Sequence, residues 1–160
     1  MSESRWLVDE MLGRLARYLR FLGYDTEYVK GIPDEAIAAQ AQRERRRLIT
    51  RDRALAAKTR GSVLLTSVEI GGQVRELLQA YPRLRHTVRF DRCSVCNGPL
   101  LRQSTVPAGA GRTTPPPRVR AGRANLYACA DCKHLYWQGS HTSAIQSRLR
   151  GWLEGPENAP

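Results

Sequence analysis

Lysine is nearly missing. Lys30, Lys58 and Lys133 are the only ones, although Lys and Arg together number 26 against 15 Asp and Glu. The formal net charge of +11 is therefore carried almost wholly by arginine. Such an excess favours polyanions: RNA, DNA or a ribosome. A general compositional preference for arginine would produce the same bias. Aromatic residues make up only 7% of the chain, so no interleaved basic–aromatic platform for single strands is obvious. No run of about 18 apolar residues occurs, which excludes a membrane-spanning helix. The opening residues Met1 to Trp6 carry no basic flank followed by an apolar stretch, so no secretion signal is expected and the cytoplasm is the default location. The cysteines number four, and without a secretion signal they do not read as a disulfide scaffold. What is present is globular in balance, with 41% hydrophobic and 26% charged residues. A length of 160 residues allows one compact domain with a small appended module.

The first 90 residues alternate between strand and helix. Arg5-Trp6-Leu7-Val8 reads as a short buried strand ending at Asp9. A helix follows, with Leu12, Leu15, Leu19 and Leu22 on one face and Arg14, Arg17 and Arg20 on the other. Gly23 stops it. Tyr24 to Val29 reads as a strand, and Pro33-Asp34-Glu35 opens a second helix. Leu48-Ile49-Thr50 is a third strand, followed by Asp52 and a helix from about Arg53 to Thr59. Ser62 to Thr66 is a fourth strand, and a helix with Val74, Leu77 and Leu78 ends near Tyr81-Pro82. This order predicts a parallel sheet with helices on its faces. Ligands of such sheets bind beyond the carboxyl ends of the strands, where Asp9 and Asp52 fall. Residues 104–124 change texture. They are rich in Pro, Gly and Arg, with Arg112, Arg118, Arg120 and Arg123 and no acid, and read as a flexible insert without a core.

All four cysteines fall in two pairs, Cys93-Ser94-Val95-Cys96 and Cys129-Ala130-Asp131-Cys132. Each spacing lets one tight turn present two thiolates to a single tetrahedral zinc. This is the pattern of a zinc ribbon, with the insert lengthening its middle. Four thiolates fill the shell of a redox-inert ion, so the zinc would be structural. An iron–sulfur cluster also takes four cysteines, but the paired-knuckle spacing favours zinc. His134 and His141 are then spare.

Asp9, Asp34 and Asp52 each precede a predicted helix. Any one of them reads most simply as an N-cap. Gathered at one rim of a sheet, the three would hold magnesium or manganese through oxygen ligands. An acidic hole in so basic a chain needs a reason, and a cation supplies one. Thr50 lies two residues before Asp52, on the same side of a strand, and is placed to orient that carboxylate. Arg51 and Arg53 flank it as candidate phosphate contacts, beside Arg14, Arg17 and Arg20.

Together these stretches resemble a known family. Leu7-Val8-Asp9, Met11 through Arg20, and Leu22-Gly23-Tyr24-Asp25-Thr26 are similar to the opening motif of the Mut-seven C-terminal RNase-domain family. Leu48 to Arg53 resembles its second motif, and Cys93 to Leu100 with Cys129 to His141 resembles its zinc-ribbon end. The resemblance implies a PIN-like nuclease fold, with residues 1–90 as the α/β domain, 91–140 as the ribbon and 141–160 as a C-terminal helix and tail. It implies a metal-dependent ribonuclease with Asp9, Asp34 and Asp52 at its acidic site, acting on RNA such as tRNA, rRNA or the ribosome. PIN nucleases usually offer a fourth acid near the end of the next strand. Thr66-Ser67-Val68 supplies none, and Glu69 is no more than a candidate. A non-catalytic RNA- or ribosome-binding protein on the same fold is the alternative. A DNA-acting nuclease or a zinc-ribbon adaptor is a third reading.

Overall fold

The computed structural model describes residues 5–108, 114–122 and 124–154. Four parallel strands form the main sheet: β1 (Trp6–Val8), β2 (Thr26–Tyr28), β3 (Arg47–Thr50) and β4 (Val63–Leu64), in the order β2-β1-β3-β4. The central β1 is fully buried. Its alternation sorts the core into two layers, because successive side chains point to opposite faces. Trp6 and Val8 join the larger cluster, under α1 (Gly13–Phe21), α4 (Ile70–Ala80) and α6 (Ser140–Glu154). Leu7 joins Leu48, Ile37, Ala41 and Leu55 on the other face, under α2 (Asp34–Arg43) and α3 (Arg53–Lys58).

The expected α/β class with a helix-flanked parallel sheet is therefore present, and several elements are shorter than the sequence suggests. Tyr24 falls outside β2 because its N–H closes the end of α1 on the Leu19 carbonyl at 3.0 Å. The first helix is entered through a 3₁₀ turn, Glu10–Leu12. Gly23 ends it at φ +85, with its N–H on the Arg20 carbonyl at 2.9 Å. The positive φ calls for glycine, and a Cβ there would also displace the Asp91 carboxylate, 2.8 Å away.

A second, antiparallel sheet carries the cysteine region: β5 (Leu100–Gln103), β6 (Leu126–Cys129) and β7 (Leu135–Trp137) in the order β5-β6-β7. Part of the 104–124 stretch departs from the coreless loop expected of it. Pro117–Arg120 forms a helical turn, α5, and Val119 is buried against Leu126, Ala128 and Leu135. Residues 109–113 and 123, with Arg112 and Arg123, lie outside the described residues. After the ribbon the chain returns to the first unit. Ile145 and Leu149 of α6 enter the main core, and Trp152 packs edge-on against Tyr18 with ring centres 4.8 Å apart.

Candidate functional site

Because β2, β1 and β3 are adjacent and parallel, their carboxyl ends open on one edge of the sheet. Asp9 follows β1 directly, Asp52 lies two residues beyond β3, and Asp34 starts the helix after β2. All three line one small cleft of about 110 Å³, together with Glu10, Met11 and Lys30. Asp9 is buried. One of its oxygens accepts the Met11 N–H at 3.0 Å, and the other accepts a short hydrogen bond from the Thr50 hydroxyl. Thr50 Oγ1 in turn accepts the Asp52 N–H at 2.9 Å. The threonine thus orients Asp9 on the neighbouring strand, not the Asp52 carboxylate expected from spacing. Asp52 Oδ1 accepts the Leu55 N–H at 2.9 Å and caps α3. Asp34 is the first residue of α2 and not its cap; Pro33 holds that place. Among the described residues the Asp34 carboxylate makes no hydrogen bond or ion pair.

The donor set suits a hard divalent cation: oxygen ligands, with one carboxylate fixed from behind. The oxygens of the three acids do not all come within 4.8 Å of one another; among the described residues only the four cysteines form such a cluster. Magnesium is commonly held by one or two carboxylates while keeping several waters, and the cleft fits that mode. Glu10 lines the same cleft and was not anticipated. Its signal was adjacency to Asp9, and its side chain accepts the Gly31 N–H at 3.1 Å. Glu69 does not line the cleft. The acid that does reach the exit of β4 is Glu76, from α4. It accepts the Thr66 N–H at 2.7 Å and the Ser67 N–H at 2.9 Å, and both hydroxyls. Burial opposes its charge, but these bonds outweigh it and hold the carboxyl below its usual range.

The arginines separate into two kinds. Arg14, Arg17 and Arg53 are exposed, and Arg51 is half-buried with an Nε that makes no hydrogen bond. Arg20 is buried and does not share the exposed face predicted for it. Its Nε donates to the Thr26 carbonyl at 2.8 Å, and its Nη1 donates to the Ser94 and Val95 carbonyls at 3.3 and 2.9 Å. The guanidinium therefore ties the sheet to the first cysteine turn, and burial lowers its pKa. Its Nε and Nη1 are thus engaged with backbone carbonyls within the fold.

The four sulfurs converge. Cys93 and Cys132 are 3.6 Å apart and Cys96 and Cys129 are 3.4 Å apart. Zinc–sulfur bonds of about 2.3 Å in a tetrahedron give edges of about 3.8 Å. The two turns match: Asn97 and Lys133, each one residue past the second cysteine of its pair, take φ +68 and +62. A Cβ on Gly98 would lie 2.9 Å from the Cys129 sulfur, so the first turn needs glycine there to approach the second. The thiols cannot all ionise by themselves. Burial opposes the Cys93 thiolate, but hydrogen bonding from the Tyr136 hydroxyl and two backbone N–H groups prevails and holds it at about 7. Burial and the neighbouring sulfurs push Cys132 up to about 12. A bound cation such as zinc resolves that conflict.

The first turn also docks on the sheet edge. Asn97 Oδ1 accepts the Thr26 N–H at 2.9 Å, and its Nδ2 donates to Asp25 and Glu27 at 2.8 and 3.0 Å. Among the described residues no helix is long and apolar enough to cross a membrane. Comparison with the curated proteins and with the solved structures finds no significant match. The family model of the Mut7-C RNAse domain, however, matches residues 4–149, which takes in the acidic cleft, the docked turn and all four cysteines; the chain belongs to that family.

Proposed function

We propose that this protein is a metal-dependent ribonuclease that hydrolyses RNA phosphodiester bonds at the acidic cleft. The observation that carries the reading is the convergence of Asp9, Asp34 and Asp52 on one edge of the parallel sheet. The family's description as an RNAse domain supports RNA as the substrate. A magnesium or manganese ion held by these carboxylates would activate water and stabilise charge on the phosphodiester. The chain's own groups then have distinct tasks. Thr50 and the Met11 N–H fix Asp9 in one orientation. Asp52 uses one oxygen to cap α3 and leaves the other for the cleft. Lys30 at the rim meets the negative charge of the RNA. The +11 surplus draws the polyanion toward a hole that would by itself repel it. The cysteine centre takes zinc and braces the ribbon.

The test is cleavage of labelled single-stranded and structured RNA by zinc-loaded protein, with magnesium, manganese or neither added. Cleavage that needs the added ion is expected, and Asp9→Asn and Asp52→Asn should each lower it by at least about 100-fold. One observation favours the second reading, a non-catalytic RNA- or ribosome-binding protein: Glu69 lies outside the cleft, so its lining holds no fourth acid from the β4 exit. RNA binding without metal-dependent cleavage would establish that reading in place of the first.

A further inference from the structure

A second cavity, of about 350 Å³, lies where α1, the segment before the first cysteine turn, β7 and the start of α6 meet. No aspartate or glutamate lines it. Both phenylalanines of the chain do, Phe21 and Phe90, with Tyr136 and Trp137. Phe90 is stacked on Tyr127 with ring centres 4.7 Å apart and planes 4° apart, which holds the ring in place. Three arginines and two histidines stand around these rings. Arg92 is committed to the Asn97 carbonyl and Asp25, and Arg89 pairs with the exposed Asp91 at 2.9 Å. Arg17 and His141 are exposed and, among the described residues, make no hydrogen bond or ion pair.

We infer that this cavity is a nucleotide subsite that receives one base of a single-stranded RNA, with its phosphate on Arg17 and His141. The inference rests on the reading of RNA as the substrate and names a site for it away from the acidic cleft. Aromatic rings accept the face of any base, and arginine accepts phosphate, so the combination fits a single strand. The volume lies within the range of pre-formed small-molecule sites, about 300–1,000 Å³. An acidic peptide would satisfy the arginines but leave the rings without a stacking partner. Placement supports the strand. Glu10 and Met11, just before α1, line the acidic cleft, whereas Arg17 and Phe21, in its second half, line this cavity. Gly13 and Phe21 are about 12 Å apart along the helix axis, with Arg14 exposed between the two sites. A strand laid along α1 reaches both.

The test reads binding and not cleavage, so it separates the failure of this subsite from the failure of the nuclease reading. Zinc-loaded full-length protein, without added magnesium or manganese, is titrated with a labelled uridine oligomer carrying one 4-thiouridine. Arg17→Glu should weaken binding tenfold or more. Arg60→Glu, the same charge change at an exposed site outside both cavities, should weaken it less than threefold. Photo-crosslinks should map to Phe90, Trp137 or their neighbours. Uridine monophosphate alone should bind far more weakly than the oligomer; equal affinity would make this a mononucleotide site and overturn the strand assignment. Equal losses from Arg17→Glu and Arg60→Glu, or crosslinks confined to other segments, would overturn the subsite. Cleavage that persists with those results would leave the nuclease reading standing.

Discussion

The acidic cleft and the basic pocket sit at the two ends of α1, and they are built in opposite ways. The cleft is made by the topology of one sheet. Asp9 and Asp52 leave adjacent parallel strands and are tied to each other through Thr50, and Asp34 joins them from the start of α2. The pocket is made by docking. Its walls come from α1, from the segment ahead of Cys93, from β7 and from α6, and the ribbon must hold its place for those walls to face one another. On that difference the cleft should outlast the loss of the ribbon, and the pocket should not.

Metal removal should break the comparison most completely. Structural zinc contributes about 10–16 kcal/mol of apparent binding energy in small modules. With zinc at the cysteine centre as proposed, stripping the metal, or replacing Cys93 with Ser, should unfold β5 to β7 and abolish the pocket. Hydrogen exchange followed by mass spectrometry is the check: protection should vanish in β5, β6 and β7 and persist in β1 and β3. Simultaneous loss in both regions would show one cooperative unit and erase the distinction between the two sites.

The same contrast decides what the sequence discloses. The strand–helix alternation was legible because period, Gly23 and the short buried runs are local. The cysteine pairs were legible because each chelating turn is encoded within four residues. Asp9 and Asp52 were legible as strand exits. Arg20 was not: with Arg14 and Arg17 it reads as one exposed stripe, and its burial depends on carbonyls 74 and 75 residues away. Spacing pairs Thr50 with Asp52, whereas the carboxylate it holds lies across the sheet, 41 residues off. The low aromatic content gives no sign of the cavity that Phe21, Phe90 and Trp137 line together, because they meet only after docking. Tertiary partners distant in the chain leave no periodic trace.

The seam between the two regions supplies the next effects. Arg20→Ala would leave three carbonyls without their donor and should cost about 3 kcal/mol. Arg20→Met, which refills the volume, should recover only part of that. Denaturant unfolding of the three proteins measures both. Asp25 carries a pH signature at the same seam. Burial opposes its charge, but hydrogen bonds from Arg46 and Asn97, and the charge of Arg46, outweigh it and lower its pKa from 3.8 to about 2. A depressed acid stabilises the fold above its unfolded pKa, and that contribution is lost as the pH falls through the folded value. The expected loss is about 2 kcal/mol between pH 4 and pH 2. Asp25→Asn should be less stable than the native chain at pH 7 and should converge with it below pH 2. Thermal melts across that range would show a constant gap if another group carried the dependence.

The smallest effect is the one that best sharpens the comparison. Arg14 is exposed on α1 and lines neither cavity. It lies between the residues that line the cleft and those that line the pocket. Removing an exposed side chain that pairs with nothing among the described residues should change stability by no more than about 0.5 kcal/mol. If RNA runs along α1 between the two sites, Arg14→Ala should still lower the dependence of log affinity on log salt by about 1, since one phosphate contact is lost. Arg60→Ala should leave that slope unchanged. The slope and not the affinity is the quantity to compare, because counterion release counts phosphates and is indifferent to which base sits in the pocket. A normal slope in Arg14→Ala beside a reduced one in Arg17→Ala would mean that the strand enters the pocket from another side, and the cleft and the pocket would then be served by separate segments of RNA.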